Sequence, residues 1–369
     1  MAGVLAVALI ILLCGGATYA YQSMFSAPDY AGSGYGSVII QVKTNQTVTD
    51  IAVTLYDKGV VKSTKAFIQS GVANPRSSGI EVGFYRLHRQ MKADLALNML
   101  LARNSDGSLA NRVTDRVTVT EGMISLDIYA KLAKATGLPA ADFKKAAQDP
   151  EALGVPASWF KRTDGKKISN PPSIEGFLYP ATYDFNPGET AADILKTMVH
   201  QFLTVTNGMD FAANVAKNLK ISPYEALVAA SIAQAEAQFP RDMGGVSRVL
   251  YNRAYGGNFP CGCLGLDSEV NYWLRISGQE ARDSGNLTYS QLHDPKDPYN
   301  THDEAGLPIG PISNPGKDAL AGAMNPPHNQ NVYFLTIDKQ GHMAFATTNE
   351  QFCADVNTAI KNGVSLDPC

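Results

Sequence analysis

SPYEALVAASIAQAEAQ, residues Ser222 to Gln238, reads as a helix with a marked beginning. Ser222 stands at the N-cap, Pro223 at the first helical position and Glu225 at the third, the pattern of a capping box. Val228, Ile232 and Glu236 then recur at four-residue spacing, so a carboxyl ends a row of apolar side chains beside Ala229 and Ala233. Apolar surroundings disfavour the carboxylate anion, and a carboxyl that keeps its proton near neutrality can act as a general acid. The other reading of Glu236 is structural, a partner for Arg241, Arg248 or Arg253 on the next segment. That segment, Arg241 to Tyr255, is a second predicted helix with Met243, Val246, Val249 and Leu250 apolar and Asn252 and Arg253 near its end. Amide and guanidinium groups suit sugar hydroxyl and acetamido recognition, and equally suit the capping of helix ends.

Working outward, the 369 residues are 45% hydrophobic and 18% charged, too apolar for a disordered chain and enough for more than one core. A net charge of −3 without long like-charge runs excludes a nucleic-acid partner. GxGxxG, Walker-type loops, HExxH and GxSxG are all missing, and the six histidines show no ligand spacing, so neither cofactor nor metal is expected.

Ala2 to Tyr21 carries no charge and, as a helix, would span about 30 Å, the thickness of a bilayer's hydrocarbon core. Residues 1–22 therefore read as a single-pass transmembrane anchor, the alternative being a cleaved signal peptide. The missing basic flank leads to the expectation that translation starts upstream of Met1. Residues 23–36, Gly- and Ser-rich, read as a flexible tether to a domain outside the cytoplasm at the cell membrane. Cys261, Cys263, Cys353 and Cys369 fit disulfides in an oxidising compartment. Being two apart, Cys261 and Cys263 are each expected to seek Cys353 or Cys369; a zinc site is the weaker reading.

The expected fold class is α+β. A strand at Val38 to Val42 and a helix over Thr47 to Tyr56 recur 77 residues later, where Val42, Asp50, Ile51 and Leu55 correspond to Val119, Asp127, Ile128 and Leu132. Leu95 to Ala102 reads as a helix between them. Two small α/β modules over 37–170 result, whose layout resembles LysM-type glycan-binding modules. The polar, Pro-bearing break Thr163 to Ser173 marks the expected boundary with a second, mixed α+β domain over 171–369. That domain ends in two strands, Val332 to Ile337 and His342 to Ala346, and a helix from Asn349 to Lys361.

Six blocks in order, EGFLYPATYDF (Glu175 to Phe185), LVAASIAQAEAQ (Leu227 to Gln238), VSRVLYNR (Val246 to Arg253), LGLDSEVNYWL (Leu264 to Leu274), YNTHDEAGLPIGPISNPG (Tyr299 to Gly316) and AMNPP (Ala323 to Pro327), resemble the YceG-like (MltG) endolytic lytic transglycosylases of bacterial peptidoglycan. The anchor, tether and upstream modules match that family's layout too. The resemblance implies cleavage of the bond between N-acetylmuramic acid and N-acetylglucosamine with formation of a 1,6-anhydro ring, trimming or terminating nascent glycan strands. It places the catalytic glutamate on Glu236, and it implies contact with peptidoglycan synthases.

The candidates to hold the sugars are Asn252, Asp267, Tyr299, Asn300 and Asn314, the last three flanking the stiff Gly306 to Pro311 run. The chain departs from the family pattern at Gln234, where a second acid often stands, at Gly265, at Phe352 in place of a late histidine, and in the insert Phe259 to Cys263. A noncatalytic peptidoglycan-binding scaffold is the competing expectation.

Overall fold

The computed structural model describes residues 27–257 and 259–369. The expected anchor and residues 23–26 of the expected tether lie outside the described residues, and Tyr35 and Gly36, expected to end the tether, are already the first residues of a strand. No helix among the described residues is long and apolar enough to cross a membrane. The described chain forms two compact units, one up to Asp115 with residues 186–188, the other from Arg116 onward.

In the first unit, β1 (Tyr35–Val42) pairs antiparallel with β2 (Gly83–Arg89), and α1 (Val48–Asp57) and α2 (Thr64–Ala73) come between them in sequence. Thr47 and Asp50 close a capping box at the start of α1, satisfying two backbone donors that a helix end otherwise leaves free. Ile51, Ala52 and Leu55 turn inward from it, joining Ile40, Phe67, Tyr85 and Leu87 and the apolar face of α3 (Ala93–Leu101) in a core of their own.

The second unit begins with the same order of elements. β3 (Asp115–Thr118) is followed by α4 (Ser125–Thr136) and α5 (Ala140–Ala146) before pairing with β4 (Thr182–Phe185). The 77-residue repeat is thus a recurrence of strand, helix, helix, strand. The expected boundary at 163–173 is corrected: Val117, Val119, Ile128, Leu132, Phe143 and Trp159 belong to the same core as Leu227 and Ile232, so the division falls near Asp115. The polar stretch that resembled a linker is a strap within the unit. Arg162 pairs with Asp164 and donates to the Pro308 carbonyl, and Thr163 donates to Glu225 from both its backbone N–H (2.9 Å) and its hydroxyl (2.7 Å).

The body of this unit is helical: α6 (Ala191–Gly208), α7 (Phe211–Asn218), α8 (Pro223–Glu236), α9 (Pro240–Tyr255), α10 (Asp267–Ile276), the single turn α11 (Tyr289–Leu292) and α12 (Lys317–Met324). The hairpin β5 (Tyr333–Thr336) and β6 (Met343–Ala346) and a last helix, α13 (Asn349–Lys361), follow. α8 is the central rod, in contact with α7, α9, α10 and α12. Every side chain from Tyr224 to Ala233 is buried, so the single apolar row expected from the spacing is an apolar surface on all sides. Its many alanines admit close neighbours. α9 and α12 also approach at backbone distance: a Cβ on Gly322 would lie 2.8 Å from the Gly244 nitrogen.

The cysteine pairing expected across the unit is also corrected. Cys261 bonds to Cys263, and Cys353 to Cys369. Gly262, at φ +60°, turns the chain back so that the Cys261 and Cys263 Cα atoms lie 5.0 Å apart, within disulfide reach despite the short separation.

Candidate active site

Glu236 is the last residue of α8, where the rod emerges from the core, and it is half-buried. It lies on a cleft of about 470 Å³ whose polar side is Gly265, Asp267, Ser268 and Asn271, from the start of α10 and the turn before it. Much of the remaining lining is apolar: Phe334 and Leu335 of β5, Met343 of β6, and Val364 and Leu366 beyond α13. The hairpin is held against α9 by Phe345, whose ring occupies the space a side chain at Gly245 would fill, 2.5 Å from where its Cβ would stand.

Burial pushes the Glu236 carboxyl above the ordinary carboxylate range. The negative charge of Asp267 pushes the same way, while the Ser268 hydroxyl and the Arg253 guanidinium oppose it. Ser268 Oγ is buried and has no other hydrogen-bond partner of normal geometry.

The structural reading of Glu236 fails on the arginines, each of which is engaged elsewhere. Arg241 stacks on the Phe239 ring at 4.4 Å, and Arg248 donates to the Pro327 carbonyl at 2.6 Å. Arg253 donates to the carbonyls of Val332 and Leu264 and lies 4.4 Å over the Phe259 ring. Among the described residues Glu236 forms no ion pair within 4.0 Å. Its carboxyl is therefore raised with only the Arg253 guanidinium, not in an ion pair, and the Ser268 hydroxyl to oppose the shift.

Of the five candidate sugar-binding residues, Asp267 alone lines the cleft with Glu236. It is the first residue of α10, and the His302 Nε2 lies 3.5 Å from its carboxylate. Gly265 explains one departure from the family pattern: it has φ +63° and donates its N–H to the Thr301 carbonyl at 2.8 Å, a left-handed turn that aims the start of α10 at Glu236.

The remaining four candidates hold backbone or core together. The Asn252 amide donates to the carbonyls of Asn329 (3.1 Å) and Asn331 (2.8 Å), fixing the entry to β5. Tyr299 is buried edge-on to Tyr272, ring centroids 4.8 Å apart. Asn300 accepts from the His302 N–H at 2.8 Å and donates to the Leu292 carbonyl at 3.0 Å, closing its own loop.

Asn314, fully buried, accepts from the N–H groups of Gly176 and Leu178 and donates to the Met123 carbonyl and to Glu175 Oε1 at 2.6 Å. Glu175 also accepts from the Ser125 N–H and hydroxyl and from the Tyr272 hydroxyl. Burial pushes its carboxyl up to about 7 even against those donors. Three of the motif blocks, those of Glu175, Tyr272 and Asn314, therefore meet in one buried polar network.

Sequence reasoning missed the apolar side of the cleft and Glu269. Glu269 is fully buried, bonded through one oxygen to the Thr301 hydroxyl, with its other oxygen unpartnered; burial holds its carboxyl well above the ordinary range, and the Glu236 charge adds to that. Nothing in the spacing of SEVNYW distinguished it from a surface glutamate of a helix start. The signal that could have found the apolar side was the alternation of aromatic and aliphatic residues in β5 and β6.

Residues 40–358 match the model of the YceG-like family. The chain is 30% identical over 318 residues to an endolytic murein transglycosylase of Bacillus subtilis (strain 168), a match covering 85% of this chain and 82% of the relative. It is 24% identical over 357 residues to the endolytic murein transglycosylase of Streptococcus pneumoniae (strain ATCC BAA-255 / R6), covering 92% of this chain but only 62% of that longer relative. Among solved structures, a yceG-like protein from Listeria monocytogenes superposes with a TM-score of 0.52 at 27% identity, over 86% of this chain and 98% of that one. With a match from strand β1 to helix α13, the chain belongs to the YceG-like family.

Proposed function

We propose that the protein is an endolytic murein transglycosylase: a lyase that cuts peptidoglycan glycan strands internally and leaves a 1,6-anhydro-N-acetylmuramic acid end. The observation that carries this reading is the Glu236 carboxyl on the cleft floor, held above the ordinary carboxylate range with no ion-pair partner. Protonated, it delivers its proton to the glycosidic oxygen. As the carboxylate it then takes the proton from the muramic acid's own C6 hydroxyl, whose oxygen closes on C1. Intramolecular attack supplies the effective concentration that an ordered water would otherwise have to provide, so one carboxyl serves both halves of the reaction.

Asp267, on the same cleft, adds to the upward shift that burial gives the Glu236 carboxyl and places a negative charge where oxocarbenium-like positive charge develops. The composition of Ala2 to Tyr21 supports a membrane anchor that keeps this chemistry at the outer face of the cytoplasmic membrane. The strand, helix, helix, strand order of the first unit supports a LysM-like glycan-binding role for it. Contact with peptidoglycan synthases, through the anchor or that unit, belongs to the same proposal.

Mass analysis of digested, peptide-free glycan strands decides the reaction. Fragments lighter by one water than hydrolysis products, absent with Glu236→Gln, are the expected result. Fragments with reducing ends would assign Glu236 and Asp267 to a hydrolase pair instead.

A further inference from the structure

The apolar side of the cleft has an unusual construction. Phe334, Leu335 and Met343 come from the hairpin, but Val364 and Leu366 come from the irregular segment after α13, which has no secondary structure to hold it. Three ties fix that segment instead. The Asn362 amide donates to the Ile337 carbonyl at the hairpin end (2.8 Å), the Val364 N–H donates to the Ala359 carbonyl (3.0 Å), and Cys369 is bonded to Cys353 on α13. Leu366 is 40% exposed, and with the half-exposed Val364, Phe334, Leu335 and Met343 it lines the same cleft as Glu236, Asp267 and Ser268. A single cleft lined by both apolar and polar side chains fits a ligand with one apolar and one hydroxylated face. A pyranose ring bearing an acetamido methyl is such a ligand.

We infer that residues 362–369, clasped by the Cys353–Cys369 disulfide, form a glycan-binding wall of this cleft, with Val364 and Leu366 seated against the methyl-bearing face of an N-acetylated sugar. The inference rests on the glycan substrate of the proposed function, though not on the lyase step. The clasp keeps these residues in place: without it, only hydrogen bonds made by residues 362–364, at the start of the segment, would restrain Leu366, and the apolar side chain would be free to leave the cleft. Leu366 is in this sense a specificity-determining residue that Glu236 chemistry alone would not reveal.

The test separates binding from turnover. In the full chain carrying Glu236→Gln, titration calorimetry with purified peptide-free glycan strands measures Kd. Adding Leu366→Asp is expected to weaken binding about fivefold, because a charge replaces an apolar contact. Leu366→Met, which keeps the apolar volume, is expected to bind like the parent. Serine at both Cys353 and Cys369 is expected to weaken binding about threefold through loss of the clasp. An unchanged Kd in the Leu366→Asp chain, or no glycan binding by the parent, overturns the inference. Loss of affinity with Leu366→Asp, beside a Glu236 chain that releases no anhydro-ended fragments, would uphold the wall and overturn the lyase reading.

Discussion

Helix α8 carries a glutamate near each end, and the two have opposite fates. Glu225, in the first turn, is fully buried, yet four donors converge on it: the Ser222 N–H (2.8 Å), the Thr163 N–H and hydroxyl, and the Tyr255 hydroxyl (3.0 Å). Burial alone would raise its carboxyl, but the Ser222 and Thr163 bonds outweigh that and hold it below the ordinary range. Glu236, in the last turn, sees one hydroxyl and one guanidinium, neither in a normal hydrogen bond or ion pair, and burial with Asp267 beside it prevails. The helix dipole sharpens the contrast, since it favours an anion at the N-terminus and disfavours one at the C-terminus. One end of the rod uses a carboxylate to fasten a strap; the other leaves a carboxyl raised above its ordinary range on a cleft. Donors, more than burial, decide which.

The largest effect expected from breaking this contrast is on catalysis. Glu236→Gln should lower the rate of anhydro-end formation by about a thousandfold, read by mass-resolved product analysis, because the amide can neither give nor take the proton. The same change should leave stability at pH 8 equal or higher in urea titrations, since it replaces a poorly solvated acid by a neutral group. A clear loss of stability would show Glu236 to be structural after all.

Glu225→Ala should do the reverse, costing about 3 kcal/mol of stability by leaving several buried donors unpaired, while turnover per folded molecule is retained. Equal stability in the two chains would mean that the strap contributes nothing.

Asp267→Asn is the next largest perturbation. Removing that charge should lower the Glu236 pKa, so the high-pH limb of kcat/KM moves to lower pH by about half a unit to one unit, with about a tenfold loss of rate. A limb that stays in place would separate Asp267 from Glu236 electrostatically.

The smallest effects are on stability against pH, and their signs differ at the two ends of α8. Glu225, with a lowered folded pKa, contributes stability that is present above the ordinary glutamate value and is lost as pH falls through the folded value. Glu236, with a raised folded pKa, contributes stability that is present below the ordinary value and lost as pH rises through the raised one. Glu225→Gln should therefore flatten the acid side of the stability curve and Glu236→Gln its neutral side, each by about 1 kcal/mol or less in denaturant titrations at stepped pH.

Much of this was present in local patterns. The capping box fixed the start of α8 at Pro223, the helix expected from Asn349 to Lys361 is α13, and a recurring strand and helix announced the two related strand, helix, helix, strand arrangements. These signals are read within a few residues of themselves, as hydrogen bonds between i and i+3 or side chains repeated every turn. The acid was legible for the same reason, because the apolar row under Glu236 lies within its own helix.

What surrounds that acid was not. Asn252, Tyr299, Asn300 and Asn314 have the residue types that bind sugars, but amides and phenols serve buried carbonyls equally well, and the fold assigned them to that work. The strap at 163–173 had the composition of a linker because its polar groups bind polar partners more than fifty residues away, which composition does not record. Likewise Cys261 found Cys263 through a left-handed glycine turn, leaving Cys369 to Cys353 and bringing Leu366 to the cleft. The chain's own order determined its helices, its repeat and the apolar row beneath Glu236, since these depend on neighbours along the backbone. Only the tertiary structure decided which polar groups meet each other and which are left to meet a substrate, since that depends on contacts between residues far apart in sequence.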